Sequence, residues 1–158
     1  MKTAIIYYSL EGNCGFVAET LKEELGADIF RLELAEEKGR TGFAKYFWGG
    51  SMVIMKKKPA LKPLDFSPDK YDRIIIGTPV WAASPAPALC AFLDKNRFTG
   101  KTIALFCCHA GGKGAVFDKM KALLPDNTFA AEIDFVNPLK ADKEEIRSKV
   151  LQWAKTLG

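Results

Sequence analysis

Apolar runs bounded by glycine, proline or polar residues alternate along this chain with stretches that have helical spacing. The first run, Thr3–Tyr8, is continuous and rich in β-branched and aromatic residues, which predicts a strand buried on both faces. Asn13–Leu25 then carries an apolar stripe at helical spacing, and Gly26 follows as a C-cap signal. The predicted strands are Thr3–Tyr8, Asp28–Leu34, Arg73–Gly77, Thr102–Cys108 and Thr128–Phe135. The predicted helices are Asn13–Leu25, Pro87–Asn96, Ala115–Leu124 and Asp142–Leu157.

The stretch between residues 35 and 70 interrupts this alternation. Phe43–Met55 is rich in aromatic residues and predicts a helix that is interrupted at Gly49-Gly50. Lys56–Pro68 contains three prolines and predicts an extended connection.

Strands that alternate with helices indicate an α/β fold, in which a parallel sheet carries helices on both faces. We therefore expect one domain over residues 1–158, built as a three-layer sandwich on a five-stranded parallel sheet. In such sheets, ligands bind outside the carboxyl ends of the strands. The loops that follow the first, third and fourth strands are therefore the candidates for a functional site.

Composition narrows the class of protein. Of the 158 residues, 48% are hydrophobic and 27% are charged, which is typical of a globular domain and excludes a disordered or coiled-coil chain. No apolar run approaches the ~20 residues needed to span a bilayer, so we expect no membrane insertion. The four cysteines come without an export signal, which predicts reduced thiols and a cytoplasmic protein. The net charge of +4 is not concentrated on one element, so nucleic-acid binding is not expected.

The first candidate loop, Ser9–Gly15, lies between a buried strand and the start of a helix. Its two glycines and small polar side chains allow successive backbone N–H groups to converge, and the helix end adds partial positive charge. This combination is suited to a phosphate monoester. The loop matches neither the P-loop nor the dinucleotide-binding pattern, and a plain turn capped by Ser9 or Asn13 explains it equally well.

The second loop, Gly77–Pro87, places Trp81 among small residues directly after the most apolar strand. An exposed aromatic ring there is suited to stacking on a flat ligand. The alternative is that Trp81 packs beneath the loop as part of the core.

The third loop, Cys108–Gly114, contains three glycines, which allow the backbone to approach a ligand closely. His109 is the only histidine of the chain, so a multi-histidine metal site is excluded and no metal is expected. No acidic residue lies near His109 in sequence, and no serine has the setting of a hydrolase nucleophile. Cys107 and Cys108 end a buried strand, which favours core packing over thiol chemistry.

With these loops, the chain resembles the flavodoxin family over essentially its whole length. The resemblance rests on IIYYSLEGNC at Ile5–Cys14, GTPVWAASPAPAL at Gly77–Leu89 and CCHAGGKG at Cys107–Gly114. It implies a sheet of strand order 2-1-3-4-5 and noncovalent FMN across the three loops. The phosphate would then lie on Ser9, Leu10, Glu11, Gly12, Asn13 and Cys14. The isoalloxazine would be held by Thr78, Pro79, Val80, Trp81 and Ala82, with Cys108, His109, Ala110 and Gly111 on the side of its pyrimidine edge.

A further aromatic residue, Trp48, follows the second strand and could cover another part of the ring. Core packing of the cluster Tyr46, Phe47 and Trp48 explains these residues equally well.

Three features depart from the flavodoxin pattern. Glu11 and Cys14 stand where the family often has threonine, and we expect Glu11 to point to solvent while backbone amides bind the phosphate. Ala82-Ala83 stands where many flavodoxins have glycine, which predicts weaker stabilisation of the flavin semiquinone because positive φ costs a non-glycine residue about 1–2 kcal/mol. The charge of +4 contrasts with the acidity of flavodoxin electron carriers.

The resemblance implies an FMN-binding electron-transfer protein that serves redox partner proteins, in which no side chain has to act as a catalyst. One alternative is an FMN-dependent NAD(P)H or quinone oxidoreductase. Another is a flavodoxin-like interaction module that has lost FMN, which the residues at Glu11 and Cys14 keep open.

Overall fold

The computed structural model describes residues 1–35 and 58–158. The strands there are β1 (Thr3–Tyr8), β2 (Asp28–Leu32), β3 (Arg73–Trp81), β4 (Ser84–Pro85), β5 (Thr102–His109) and β6 (Thr128–Val136). The helices are α1 (Asn13–Leu25), α2 (Pro87–Lys95), α3 (Val116–Ala122) and α4 (Lys143–Thr156), with a single 3-10 turn at Pro68–Lys70. The helix predicted over Phe43–Met55 lies outside the described residues.

The main sheet has the order β2-β1-β3-β5-β6, and all four pairings along it are parallel. This confirms the predicted flavodoxin-like sandwich, because β5 and β6 are the fourth and fifth strands of the 2-1-3-4-5 order. The additional strand, β4, pairs antiparallel with the end of β3.

Two apolar clusters fill the space on the two faces of the sheet. One contains the buried side chains of α2 and α3, and the other contains those of α1 and α4. Alternation along β5 sends Cys107 into the first cluster and Cys108 into the second. The two adjacent cysteines therefore face opposite layers, and both are buried as predicted.

In the described residues, every predicted boundary of these strands and helices lies within two residues of the observed one, except the end of β3. β3 continues four residues beyond the predicted end at Gly77, to Trp81, because it forms a hairpin with β4. β2 ends at Leu32, two residues before the predicted Leu34, which forms an isolated antiparallel bridge with Leu61 instead.

Helix α4 begins as predicted. Asp142 Oδ1 accepts a hydrogen bond of 3.0 Å from the backbone N–H of Glu145, which satisfies one of the free donors of the first turn. None of the helices in residues 1–35 and 58–158 is both long enough and apolar enough to cross a bilayer.

Candidate functional site

A cleft opens at the carboxyl edge of the sheet, where β1, β3 and β5 end. All three candidate loops contribute to its wall, together with one residue that follows β6. The lining residues are Ser9, Leu10, Glu11, Asn13, Cys14, Pro79, Val80, Trp81, Ala82, Cys108, His109, Ala110 and Asn137.

The loop after β1 is closed by the buried hydroxyl of Ser9. Its Oγ accepts hydrogen bonds from the backbone N–H groups of Gly12 (3.1 Å) and Gly15 (3.3 Å). Gly12 adopts a φ of 101°, which favours glycine, and its carbonyl accepts the first helical hydrogen bond from Phe16 N–H. The N-terminus of α1, with its partial positive charge, is thereby fixed at one end of the cleft.

Asn13 ties this loop to the segment after β6. Its Oδ1 accepts a hydrogen bond of 3.0 Å from the backbone N–H of Leu139. The backbone of Asn137 in the same segment donates to the carbonyl of His109 over 2.9 Å. The first and third loops are therefore braced by the connection between β6 and α4.

The hairpin of β3 and β4 carries Trp81 to the cleft. Its two-residue turn, Ala82-Ala83, has φ values of 49° and 56°, so both alanines adopt the left-handed conformation that β-hairpin turns of this length require. Such turns usually contain glycine or asparagine, and the left-handed conformation costs an alanine there about 1–2 kcal/mol. One of the two strained alanines, Ala82, lines the cleft.

Trp81 lies against both the cleft and the core. Its ring meets Tyr8 edge to face, with the ring centroids 5.7 Å apart, and it packs against the cluster on the α2 and α3 face. The two interpretations of Trp81 from the sequence are therefore compatible, since one face of a large ring can pack while another part lines a cleft.

His109 forms the opposite wall and pairs with an acid that sequence proximity does not reveal. Its Nε2 lies 2.7 Å from Asp134 Oδ2, and the imidazole is only 8% exposed. Asp134 also lies 3.8 Å from Lys113 Nζ. The hydrogen bond to His109 is the main reason that the pKa of Asp134 lies below its usual value, and Lys113 adds to this effect. The Asp134 carboxylate is therefore ionised at neutral pH.

Cys14, which lines the cleft, and Cys107, which is buried in β5, are not activated as nucleophiles. Burial raises the pKa of Cys14 well above its usual value, and the contact with the Cys108 side chain raises it further. Burial likewise raises the pKa of Cys107 to about 12. No three His, Cys, Asp or Glu side chains of the described ranges come together in a group that could hold a metal ion.

Most of the residues expected at an FMN site come together in this cleft. Glu11 lines the cleft and is exposed to solvent. Gly12 and Gly111 are next in sequence to lining residues but are not themselves among the lining residues. Thr78 is fully buried, and its Oγ1 accepts a hydrogen bond of 2.9 Å from Ala86 N–H, so it braces the hairpin from inside. Trp48 lies outside the described residues.

Asn137 and Asp134 belong to the site but were not predicted. The Asn-Pro dipeptide at Asn137 was a sequence signal for a turn directly after the last strand. Asp134 could have been found only from the strand register. It is the parallel partner of Cys107, and Cys107 lies on the same face of β5 as His109, two residues on.

A comparison with protein-family models matches residues 1–127 to the model described as NADPH-dependent FMN reductase. This match spans most of the chain. The chain belongs to the NADPH-dependent FMN reductase family. No curated protein matches its sequence. The fold is therefore flavodoxin-like, as the resemblance predicted. The family, however, is that of the FMN reductases.

Solved structures agree with this fold. A flavoprotein from Lactobacillus acidophilus, in complex with FMN, has a TM-score of 0.73 at 22% identity, and the match covers 88% of this chain and 96% of that one. A protein from Bacteroides uniformis has a TM-score of 0.79 at 21% identity, covering 98% and 97%. Oxidised flavodoxin 1 from Bacillus cereus has a TM-score of 0.58 at 17% identity, covering 99% and 96%.

Because the chain belongs to this FMN reductase family, its cofactor is FMN. The residues present fit such a group, because a helix N-terminus, an aromatic ring and a buried imidazole face one cleft. The imidazole also retains a buried nitrogen, His109 Nδ1, without a hydrogen-bond partner among the described residues.

Proposed function

We propose that this FMN flavoprotein is an oxidoreductase that takes reducing equivalents directly from NAD(P)H and passes them to a small acceptor such as a quinone. The observation that carries the proposal is the convergence of the Ser9–Cys14 loop, the Trp81 hairpin and His109 on one cleft, in a chain of the NADPH-dependent FMN reductase family.

The binding roles follow from the chemistry of each wall. The loop from Ser9 to Cys14 would hold the phosphate at the N-terminus of α1, where backbone N–H groups and the helix dipole favour an anion. Trp81 and the hairpin would flank the isoalloxazine, and His109 would approach its polar edge. When bound, FMN supplies the one- and two-electron chemistry, so the protein has only to bind, orient and shield it.

Charge favours an enzyme over the electron carrier that the sequence alone favoured. Carriers of flavodoxin type are acidic, whereas this chain has a net charge of +4. Two lysines also lie beside the cleft. Lys119 donates a hydrogen bond of 2.7 Å to Ser84 Oγ in the hairpin, and Lys113 approaches Asp134. Positive charge on the protein attracts an anionic reductant such as NADPH, because long-range electrostatic attraction raises the rate at which the two molecules meet.

The test is anaerobic stopped-flow reduction of the FMN-loaded protein by NADPH and by NADH, followed at the flavin absorption band with no partner protein present. Free FMN at the same concentration, mixed with the same nucleotides, gives the background rate. We expect bleaching of the bound flavin far above that background, with turnover when a quinone is added.

Two results would contradict the proposal, and they differ from each other. A protein that binds FMN but is reduced by both nucleotides no faster than free FMN would be a carrier that needs a reductase. A protein that stays colourless after incubation with FMN would be an interaction module.

A further inference from the structure

Cys14 and Cys108 meet at the wall of the cleft, although they belong to different elements. Cys14 lies in the first turn of α1, and Cys108 lies one residue before the end of β5. Both side chains are buried in the cluster on the α1 face of the sheet, and both residues line the cleft. The side chain of Cys14 is in hydrogen-bond contact with the thiol and with the backbone N–H of Cys108. Two free thiols are therefore held against each other beside the ligand.

The other two cysteines are placed differently. Cys107 precedes Cys108, but its side chain belongs to the opposite cluster, so the backbone of β5 separates the two thiols. Cys90 lies in α2, where its half-buried Sγ is 4.0 Å from the carbonyl oxygen of Pro85. Neither Cys107 nor Cys90 lines the described part of the cleft. The fold therefore selects one pair among the four cysteines of the chain.

The two thiols of the pair are suited to different steps of an oxidation. Burial and the contact with Cys108 keep the pKa of Cys14 well above its usual value, so Cys14 is poorly suited to attack an oxidant. Cys108 is 4% exposed and Cys14 is 1% exposed, so a small oxidant in the cleft reaches Cys108 more readily. Once Cys108 is oxidised, Cys14 is the thiol already in contact with it, and such proximity accelerates a second step.

We propose that Cys14 and Cys108 form a redox modification site, in which hydrogen peroxide converts the two thiols into a disulfide that weakens FMN binding. The thiolate of Cys108 attacks the O–O bond, which gives a sulfenic acid and hydroxide, and the hydroxide takes up the thiol proton to become water. The sulfur of Cys14 then forms the S–S bond, and the sulfenic oxygen leaves as a second water molecule with the proton of Cys14. Two thiols are thereby oxidised and one peroxide is reduced to two waters.

The effect on FMN follows from what the bond would tie together. A disulfide draws the first turn of α1 toward the end of β5, because bonded sulfurs lie closer than sulfurs in contact. The loop that precedes α1 is held by Ser9 Oγ, so its backbone N–H groups move with the helix. Hydrogen bonds weaken steeply with such displacement. This effect rests on the proposed binding of the FMN phosphate at α1, whereas formation of the disulfide does not.

The first experiment counts thiols after exposure to hydrogen peroxide. The protein, with FMN bound and after its removal, carries Cys90→Ser so that the half-buried thiol cannot link two chains. The remaining thiols are alkylated in denaturant and the protein is analysed by mass spectrometry. We expect the apoprotein to lose two thiols to a bond between Cys14 and Cys108, and the FMN-bound protein to lose them more slowly because FMN covers both residues. An apoprotein that keeps its thiols, or that forms a sulfinic acid without a disulfide, overturns the proposal.

Three substitutions locate the bond. Cys107→Ala is the matched control, since it removes the neighbouring thiol in the opposite layer, and it should form the disulfide as the wild type does. Cys14→Ala should stop at a sulfenic acid, which dimedone traps, and Cys108→Ala should form no bond. A disulfide in Cys14→Ala overturns the proposal. If a variant fails to fold, fragmentation of the cross-linked wild-type peptides still decides between Cys107 and Cys108.

The second experiment measures the dissociation constant of FMN by quenching of flavin fluorescence for the dithiol form, the disulfide form and the disulfide form after treatment with dithiothreitol. We expect the disulfide to weaken binding by about tenfold, as the loss of one net hydrogen bond does, and dithiothreitol to restore it. Peroxide should leave the affinity of Cys108→Ala unchanged. Equal affinities of the dithiol and disulfide forms overturn the effect on FMN.

Failure of this proposal and failure of the proposed function give different results. A dithiol form that does not bind FMN contradicts the cleft as a flavin site, and the thiol count then still decides whether the pair forms. A protein that binds FMN and forms the disulfide, but is not reduced by NADPH or NADH, contradicts only the proposed function.

Discussion

Gly114 lies directly against Ala83, so that a Cβ built on Gly114 would come within 2.7 Å of the Ala83 Cβ and 3.4 Å of its Cα. Gly114 also has a φ of 53°. The loop after β5 thus supports the strained turn of the Trp81 hairpin from behind. Space and backbone conformation both require glycine at this position.

Gly114→Ala should lower the free energy of unfolding of the apoprotein by about 2–4 kcal/mol, because it adds left-handed strain and a close contact. Gly100→Ala is the control for strain alone, since Gly100 has a φ of 69° and open space around it. Gly111→Ala, which meets nothing within 4 Å, should change stability little. Urea unfolding measures all three. In an Ala83→Gly background, Gly114→Ala should cost no more than Gly100→Ala.

Ser9→Ala should destabilise the apoprotein by about 1–2 kcal/mol, because the buried hydroxyl is the acceptor for two backbone N–H groups at the start of α1. Ser148→Ala on an exposed face of α4 is the matched control and should stay within about 0.5 kcal/mol of the wild type. Chemical denaturation gives both values. Equal stability of the two variants would show that Ser9 does not cap this helix.

Trp81→Ala should weaken FMN binding by about 1–3 kcal/mol, since the substitution removes a large aromatic surface from the cleft. Trp81→Phe should lose less, because it keeps a ring at the end of β3. Fluorescence titration with FMN gives the affinities, and the residual quenching at saturation reports stacking. Unchanged affinity and quenching in Trp81→Ala would assign Trp81 to the core alone.

Asp134 should contribute a pH-dependent part of the stability. Its pKa in the folded protein lies below the usual value of 3.8, mainly because of the hydrogen bond from His109. The unfolded chain therefore takes up the proton first as the pH falls, so this stability is present above 3.8 and is lost as the pH falls through the folded pKa. Asp134→Asn should be less stable at neutral pH and should show a flatter decline between about pH 5 and pH 2. Urea midpoints across that range measure the slope, and parallel curves would contradict the prediction.

The layers of the fold were predictable because their signals are local. Continuous apolar runs such as Thr3–Tyr8 and Thr102–Cys108 indicate strands covered on both faces, and helical spacing with end signals at Gly26 and Asp142 marks the helices between them. The extension of β3 into a hairpin was not predictable in this way, since Ala82-Ala83 lacks the residues that usually form such a turn.

The sequence by itself determined the order of the elements, the edge of the sheet where ligands bind and the three loops that meet there, since these follow from periodicity and from the geometry of parallel sheets. Only the tertiary structure decided which side chains face one another across that edge. Asp134 reaches His109 from 25 residues away, and Asn13 and Asn137 brace two different loops. Such contacts depend on strand register and on the direction of each side chain. Both are set by the packing of residues that are far apart in sequence, so no local pattern reveals them.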